Sequence, residues 1–163
     1  TNTTAALGSG LGGQFSVQPT LAVNTDGIIM SYQNPLGGLT QTPRILYIKG
    51  VWLQGMVTAA LTGGPVLYAW SLAYGHTAVS LATAESASFA TGTTKAPRRE
   101  PLGWDPYAAA AALGTVGQRI YVSFGAALPV NPGEFVALVA KNVGTVTSAG
   151  VITVLVGIDG YYE

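Results

Sequence analysis

Few side chains in this 163-residue sequence could carry out catalysis. His76 is its one histidine and cysteine is absent, whereas a hydrolytic triad needs a base beside the nucleophile. Ser71, Ser80 and Ser123 are nucleophiles by type, but none lies in the G-x-S-x-G motif that exposes a reactive serine. His76 lies just past a strand-like run, which favours a histidine in a turn. The sequence therefore predicts no catalytic residue.

Two carboxylates could act together on a sugar substrate. Glu100 and Asp105 are close in the sequence, and glycosidases place two carboxylates across the scissile bond. Arg99 beside Glu100, and a helix-capping role for Asp105, explain both residues without catalysis. One histidine and dispersed acids do not supply the three or four ligands of a zinc site. We therefore expect no enzyme activity, no metal and no cofactor.

A glycine-rich motif lies near the N-terminus. Residues 8–13 read GSGLGG and match the G-x-G-x-x-G pattern, which binds a dinucleotide only between a strand and a helix. Neither is predicted there. Residues 1–13 are mostly Thr, Ala, Gly and Ser, a composition typical of a flexible arm. We expect that arm to precede a single domain over residues 14–163.

The charge content is unusually low. Seven Lys and Arg balance seven Asp and Glu, and 9% of residues are charged, against about 25% in a typical domain. The one basic cluster, Arg98-Arg99, has Glu100 beside it, whereas nucleic-acid binding needs grouped cations. No window offers the roughly 20 unbroken apolar residues of a membrane-spanning helix, and no signal peptide is visible. We expect neither nucleic acid nor membrane as a partner, and expect other subunits to cover much of the surface.

Alternating apolar residues predict a series of strands. The predicted strands cover residues 14–18, 21–23, 28–32, 44–57, 66–74, 118–124, 135–139 and 151–158. Asp26-Gly27 favours a hairpin between the second and third of these strands, and the last two are expected to form a closing hairpin. Gly50 and Gly55 indicate bulges or close backbone approach within the longest strand.

One turn and one helix interrupt the strands. Asn131-Pro132-Gly133 predicts a tight turn with positive φ at Gly133, which we expect to deliver Phe135 to the core. A short helix is predicted after Asp105 as N-cap. Its further signals are Pro106 at the first position, five alanines and Gly114 at the end. Together the pattern predicts an all-β jelly-roll β-sandwich of about eight strands with one short helix and an extended N-terminal arm.

The aromatic residues allow two interpretations. They could form a sugar-binding platform, but aromatics at period two in a strand are more often core or subunit interface, and we favour the second interpretation. The candidates are Tyr68, Trp70, Tyr74, Trp104, Tyr107, Tyr121, Tyr161 and Tyr162.

The last third of the chain carries a resemblance to a protein family. Residues 97–103 (PRREPLG), 128–136 (LPVNPGEFV) and the ending GYYE at 160–163 together resemble jelly-roll decoration or cement proteins of tailed bacteriophages. The resemblance covers residues 95–163. It implies a homotrimer seated on the capsid, with the major capsid protein as partner and the arm reaching a neighbour, and it brings no catalytic residues.

These observations lead to one expected function and two alternatives. We expect a virion structural protein, made in the host cytoplasm and located on the capsid surface, that decorates or cements the capsid lattice. The first alternative is a receptor- or glycan-binding head of a phage fibre or spike. The second is a non-viral binding or assembly module, such as a lectin-like or trimeric complement-like jelly roll.

Overall fold

The computed structural model describes residues 12–17, 22–39, 42–77 and 98–163. In these residues there are eight strands and no helix. The strands are β1 Gly12–Val17, β2 Asp26–Gln33, β3 Leu46–Gly63, β4 Val66–His76, β5 Arg98–Tyr107, β6 Ile120–Val130, β7 Phe135–Asn142 and β8 Ser148–Tyr162. They form sheet A, with the order β1-β8-β3-β6, and sheet B, with the order β2-β7-β4-β5. The predicted all-β sandwich is confirmed. The predicted arm lies outside the described residues except for Gly12 and Gly13, which begin β1.

One apolar core fills the space between the sheets. Along β4, the large side chains at positions 66, 68, 70, 72 and 74 are all buried, as successive residues of a strand point to opposite faces. Sheet A contributes buried residues to this core, among them Leu46, Ile48 and Leu53 of β3 and Ile152 and Val154 of β8. Removing this surface from water, at about 25 cal/mol per Å², is the main stabilising term.

β3 and β8 form the centre of sheet A. Their antiparallel register runs from Leu46 opposite Tyr162 to Gly63 opposite Ser148. The register shifts between Ile48 and Gly50 against both neighbouring strands, which confirms the predicted bulge. A side chain at Gly55 would collide with the Tyr107 hydroxyl from the opposite sheet, so the predicted close approach is also confirmed.

The chain passes from one sheet to the other at every connection between consecutive strands except that of β4 to β5. The predicted closing hairpin is therefore wrong, because β7 belongs to sheet B and β8 to sheet A. The predicted Asp26-Gly27 hairpin is also wrong. Both residues begin β2, which pairs with β7, and the residue with positive φ is Asn24 at 61°. Apolar periodicity identifies strands, but partner choice depends on burial across the whole sheet.

The predicted helix after Asp105 is wrong. Asp105, Pro106 and Tyr107 complete β5, and the alternation of that strand buries Asp105 and Tyr107 between the sheets. The alanines at 108–112 form turns closed by backbone bonds such as Ala111 N–H to Ala108 O (3.3 Å). A segment this short gains little from helix propensity, because nucleation is costly and tertiary packing decides. Gly114 does have positive φ (86°), but within a turn.

The Asn131-Pro132-Gly133 turn is confirmed and carries the chain from sheet A to sheet B. The Glu134 amide donates to Asn131 O (3.0 Å) and Gly133 has φ 82°. Together with Pro132 at the preceding position, these are the features of a type II turn. The Glu134 carboxylate accepts the Asn131 amide (2.9 Å), and Gly133 N–H donates to Asn34 O (2.7 Å). The turn is thus fixed from both sides.

The expectation that this turn delivers Phe135 to the core is wrong. Val136 is completely buried and belongs to the core cluster, while Phe135 is only partly buried. Its ring stacks on His76 instead, with centroids 5.6 Å apart. The difference is one of register, because neighbouring residues of a strand face opposite sides of the sheet.

We predict that Gly133→Val destabilises the domain by roughly 1–3 kcal/mol, the usual cost of a strained backbone conformation. A β-branched residue is rarely tolerated at positive φ, and its Cβ would lie 2.7 Å from Leu36 Cδ2. Gly125→Val is the matched control, since Gly125 lacks positive φ and has nothing within 4 Å of its missing Cβ. Denaturant unfolding measures both; equal losses would contradict the assignment of strain to Gly133.

Candidate functional site

A buried polar group, the Asp105 cluster, lies between the sheets and consists of Tyr68, Trp70, Asp105 and Tyr107. The Tyr107 hydroxyl donates a hydrogen bond to Asp105 Oδ2 (2.9 Å). Tyr68 Oη, Trp70 Nε1 and Asp105 Oδ1 are buried without a hydrogen-bond partner. No cation is paired with the carboxyl among the described residues. All four side chains are buried as deeply as the rest of the core, so a substrate cannot reach them.

Burial raises the pKa of Asp105 above its ordinary value. The hydrogen bond from Tyr107, followed by weaker interactions with the Trp70 indole and the Gln118 amide, partly opposes that rise in pKa. Burial and the nearby Asp105 also raise the pKa of Tyr68 and Tyr107, so both phenols are protonated at neutral pH. Because Asp105 is inaccessible, Glu100 and Asp105 do not form a glycosidase pair.

His76 is buried at the end of β4 rather than exposed in a turn. Its ring stacks on Phe135, and Nδ1 has no hydrogen-bond partner among the described residues. Burial, then the Arg99 guanidinium, lowers the pKa of His76, while Glu134 acts in the opposite direction. The imidazole is therefore neutral at pH 7 and packs against the Phe135 ring, outside the core cluster between the sheets. Of the predicted serine candidates, Ser71 accepts a hydrogen bond from Arg99 (3.1 Å), Ser123 is exposed on β6, and Ser80 lies outside the described residues.

Arg99 lies on the outer face of sheet B, whereas Arg98 lies on the same face as its register partner Tyr74, toward sheet A. Arg99 bonds Asp26 Oδ2 at 3.0 Å and Ser71 at 3.1 Å. The Arg98 guanidinium lies 4.7 Å from the centre of the Tyr74 ring, a cation–π contact. Both arginines thus have partners within the chain.

The described residues contain no group of three or more His, Asp or Glu that could hold a metal ion, and no helix in them is long and apolar enough to cross a membrane.

The outer face of sheet A differs, because it exposes apolar side chains beside a groove of about 300 Å³. Met56, Val116 and Leu155 are 42%, 55% and 50% exposed. This apolar groove has no charged residue in its lining, which consists of Gln14, Gln54, Gly55, Met56, Val116, Thr153 and Leu155. Exposed apolar patches with few charges are typical of interaction surfaces. We take this face as the candidate functional site.

The predicted aromatic candidates divide between the core and the surface. Tyr68, Trp70, Tyr74 and Tyr107 are buried between the sheets, as the core interpretation predicts. Trp104 and Tyr121 are 60% and 63% exposed. Tyr162 shares a hydrogen bond with Tyr32 (2.7 Å), whereas Tyr161 stacks on Tyr47.

Sequence reasoning missed Tyr47 and Trp52, which lie on the outer face of sheet A. The signal that could have found them is the alternation of β3. Residues 46, 48, 51 and 53 are buried. Tyr47, before the bulge, and Trp52, after it, are the residues between them that point to the opposite face.

Comparison with known proteins adds no family. No protein-family model matches the sequence, and no curated protein matches it. A solved structure described as "Structure of infectious bursal disease virus Gt strain" aligns with 96% of this chain at 13% identity and a TM-score of 0.19. This chain spans 41% of that chain. A TM-score this low carries no argument about fold or function.

We predict that Asp105 makes stability depend on pH. A carboxyl whose pKa is raised in the folded state adds its full contribution to the free energy of unfolding below its unfolded-state pKa of about 3.9. That contribution is lost as the pH rises through the folded-state pKa. Each unit by which the pKa rises corresponds to about 1.4 kcal/mol of unfolding free energy. The free energy of unfolding of the wild type should therefore fall, relative to that of Asp105→Asn, as the pH rises above about 3.9. Parallel pH profiles for the two proteins, measured by urea unfolding, would contradict a raised pKa of Asp105.

Proposed function

We propose that this chain is a virion structural protein, a decoration or cement protein that sits on the capsid surface as a homotrimer and binds the major capsid protein. The observation that carries the proposal is the apolar groove on sheet A. Its lining has no charge, in a chain with 9% charged residues. Such a surface gains free energy when a partner removes it from water.

We also propose that the fold is a jelly roll. The pairs β1–β8, β2–β7, β3–β6 and β4–β5 are all antiparallel. They are the pairs of one long ribbon folded on itself, with alternate pairs in sheets A and B. Jelly rolls of eight strands form viral capsid and lectin domains. Because one fold serves many functions, this order supports the proposal only together with the groove and the resemblance of residues 95–163.

A homotrimer would bury the groove through a contact between unlike surfaces. A ring of three copies uses a heterologous interface, in which one surface of a copy meets a different surface of the next. Closed symmetry would cover the groove in every copy. A low net charge removes the repulsion that would otherwise oppose such packing.

We predict a particle of three 16.6 kDa chains by light scattering at micromolar concentration. Leu155→Asp should weaken the trimer at least about tenfold, since it places a charge in a desolvated contact. Leu39→Asp is the control, because Leu39 is also an exposed leucine but lies outside the groove. A monodisperse wild-type monomer, or equal effects of the two substitutions, would contradict the proposal.

The capsid partner is tested by co-sedimentation. Wild type and Leu39→Asp should pellet with empty capsids assembled from the major capsid protein of the same virus. In the absence of capsids, both proteins should stay in the supernatant. Failure of the wild-type trimer to pellet would exclude the cement function while leaving the trimer in place.

A further inference from the structure

Beyond the apolar groove, the outer face of sheet A carries aromatic side chains in two rows across the strands. In the first row, Tyr47 of β3 and Tyr161 of β8 are register partners whose rings stack with centroids 5.2 Å apart. In the second row, Trp52 of β3 lies opposite Tyr121 of β6. The Trp52 indole also extends over Gly157 of β8, where any side chain would collide with it. Four rings are thus held on three adjacent strands.

The bulge in β3 lies between these two rows. Gly50 lies between them and pairs with Asp159 on one side and Ser123 on the other. Gly50 is itself buried, and a Cβ there would lie 3.0 Å from Val122 O and 3.9 Å from the Tyr121 hydroxyl. Asp159, Ser123 and Lys49 are exposed. We call this feature, with its two rows of rings and its polar middle, the aromatic trough.

We propose that the aromatic trough binds a neutral oligosaccharide. A sugar ring presents a flat C–H face and a rim of hydroxyl groups. The aromatic rings supply flat apolar surface, and Asp159, Ser123 and Lys49 supply acceptors and donors at the level of the rim. Few polar groups placed among aromatic side chains are typical of small-molecule sites.

The charges around the trough favour a neutral ligand. Around the trough, Lys49 and Arg119 are cationic, and the Arg119 guanidinium lies 5.7 Å from the centre of the Trp52 ring. Asp159 is acidic and pairs with Gly50 between the two rows. A polyanion would need grouped cations without a carboxylate between them. A hydroxyl group both donates and accepts hydrogen bonds, so it can use the basic and the acidic side chains in turn.

The site is also preorganised. Its side chains stand on β3, β6 and β8, whose register is continuous from Gly50 to Leu53 of β3 and shifts between Ile48 and Gly50. Sites built on strands are more precise than sites on loops, and little conformational entropy is lost on binding. This inference does not rest on the proposed trimer, because the trough and the groove are lined by different residues.

The test is calorimetric titration of the full chain with maltohexaose, cellohexaose and chitohexaose. We expect saturable binding of at least one of them, with a dissociation constant below about 1 mM, and at least a tenfold loss in Tyr121→Ala. Trp104→Ala is the matched control, since Trp104 is equally exposed but lies on β5 of sheet B. If Tyr121→Ala does not fold, as judged by thermal unfolding, Asp159→Asn takes its place with the same expected direction.

Three outcomes would overturn the inference. The first is no heat of binding with any of the three hexasaccharides. The second is binding that neither Tyr121→Ala nor Asp159→Asn weakens. The third is binding that Trp104→Ala weakens as much as Tyr121→Ala does. Light scattering of the same samples keeps the result separate from the proposed function, because the loss of sugar binding in an intact trimer concerns the trough alone.

Discussion

The antiparallel pairing of β3 with β8 is the constraint on which the rest of this structure depends. It spans Leu46 to Gly63 on one strand and Ser148 to Tyr162 on the other. Mutual backbone bonds between Ile45 and Glu163 (2.9 Å each) extend it at one end. One side of this central pair forms the floor of the core, and the other side carries both the apolar groove and the aromatic trough. A shift of one residue would exchange these two sides.

Much of the architecture could be predicted from the sequence, because alternation of apolar residues is a local signal. Alternation identified the buried face of β4, the long apolar run identified β3, and the Asn-Pro-Gly turn residues identified the positive φ of Gly133. Partner strands could not be predicted in this way. β7 and β8 are both apolar and adjacent in the sequence, yet they lie in different sheets. The helix expected after Asp105 failed for the same reason, since burial of Tyr107 across the core outweighs local propensity.

The candidate site was harder to predict because it consists of outward positions, which carry weaker patterns than the core. Tyr121 and Tyr161 are recognisable as aromatics, but their neighbours Tyr47 and Trp52 come from a strand that appears apolar on both faces in the sequence. The bulge at Gly50 sets the parity of β3 on each side. Only the register of three strands shows that these four rings lie on one face, beside a groove that has no charged lining residue.

The most direct test of the proposed capsid role is an electron cryo-microscopy reconstruction of empty capsids with and without the added protein. We expect additional density with local threefold symmetry, into which the two-sheet sandwich fits with Met56, Val116 and Leu155 covered by a neighbouring chain. Density in which this groove faces solvent in every copy, or saturating protein without any additional density, would contradict this expectation.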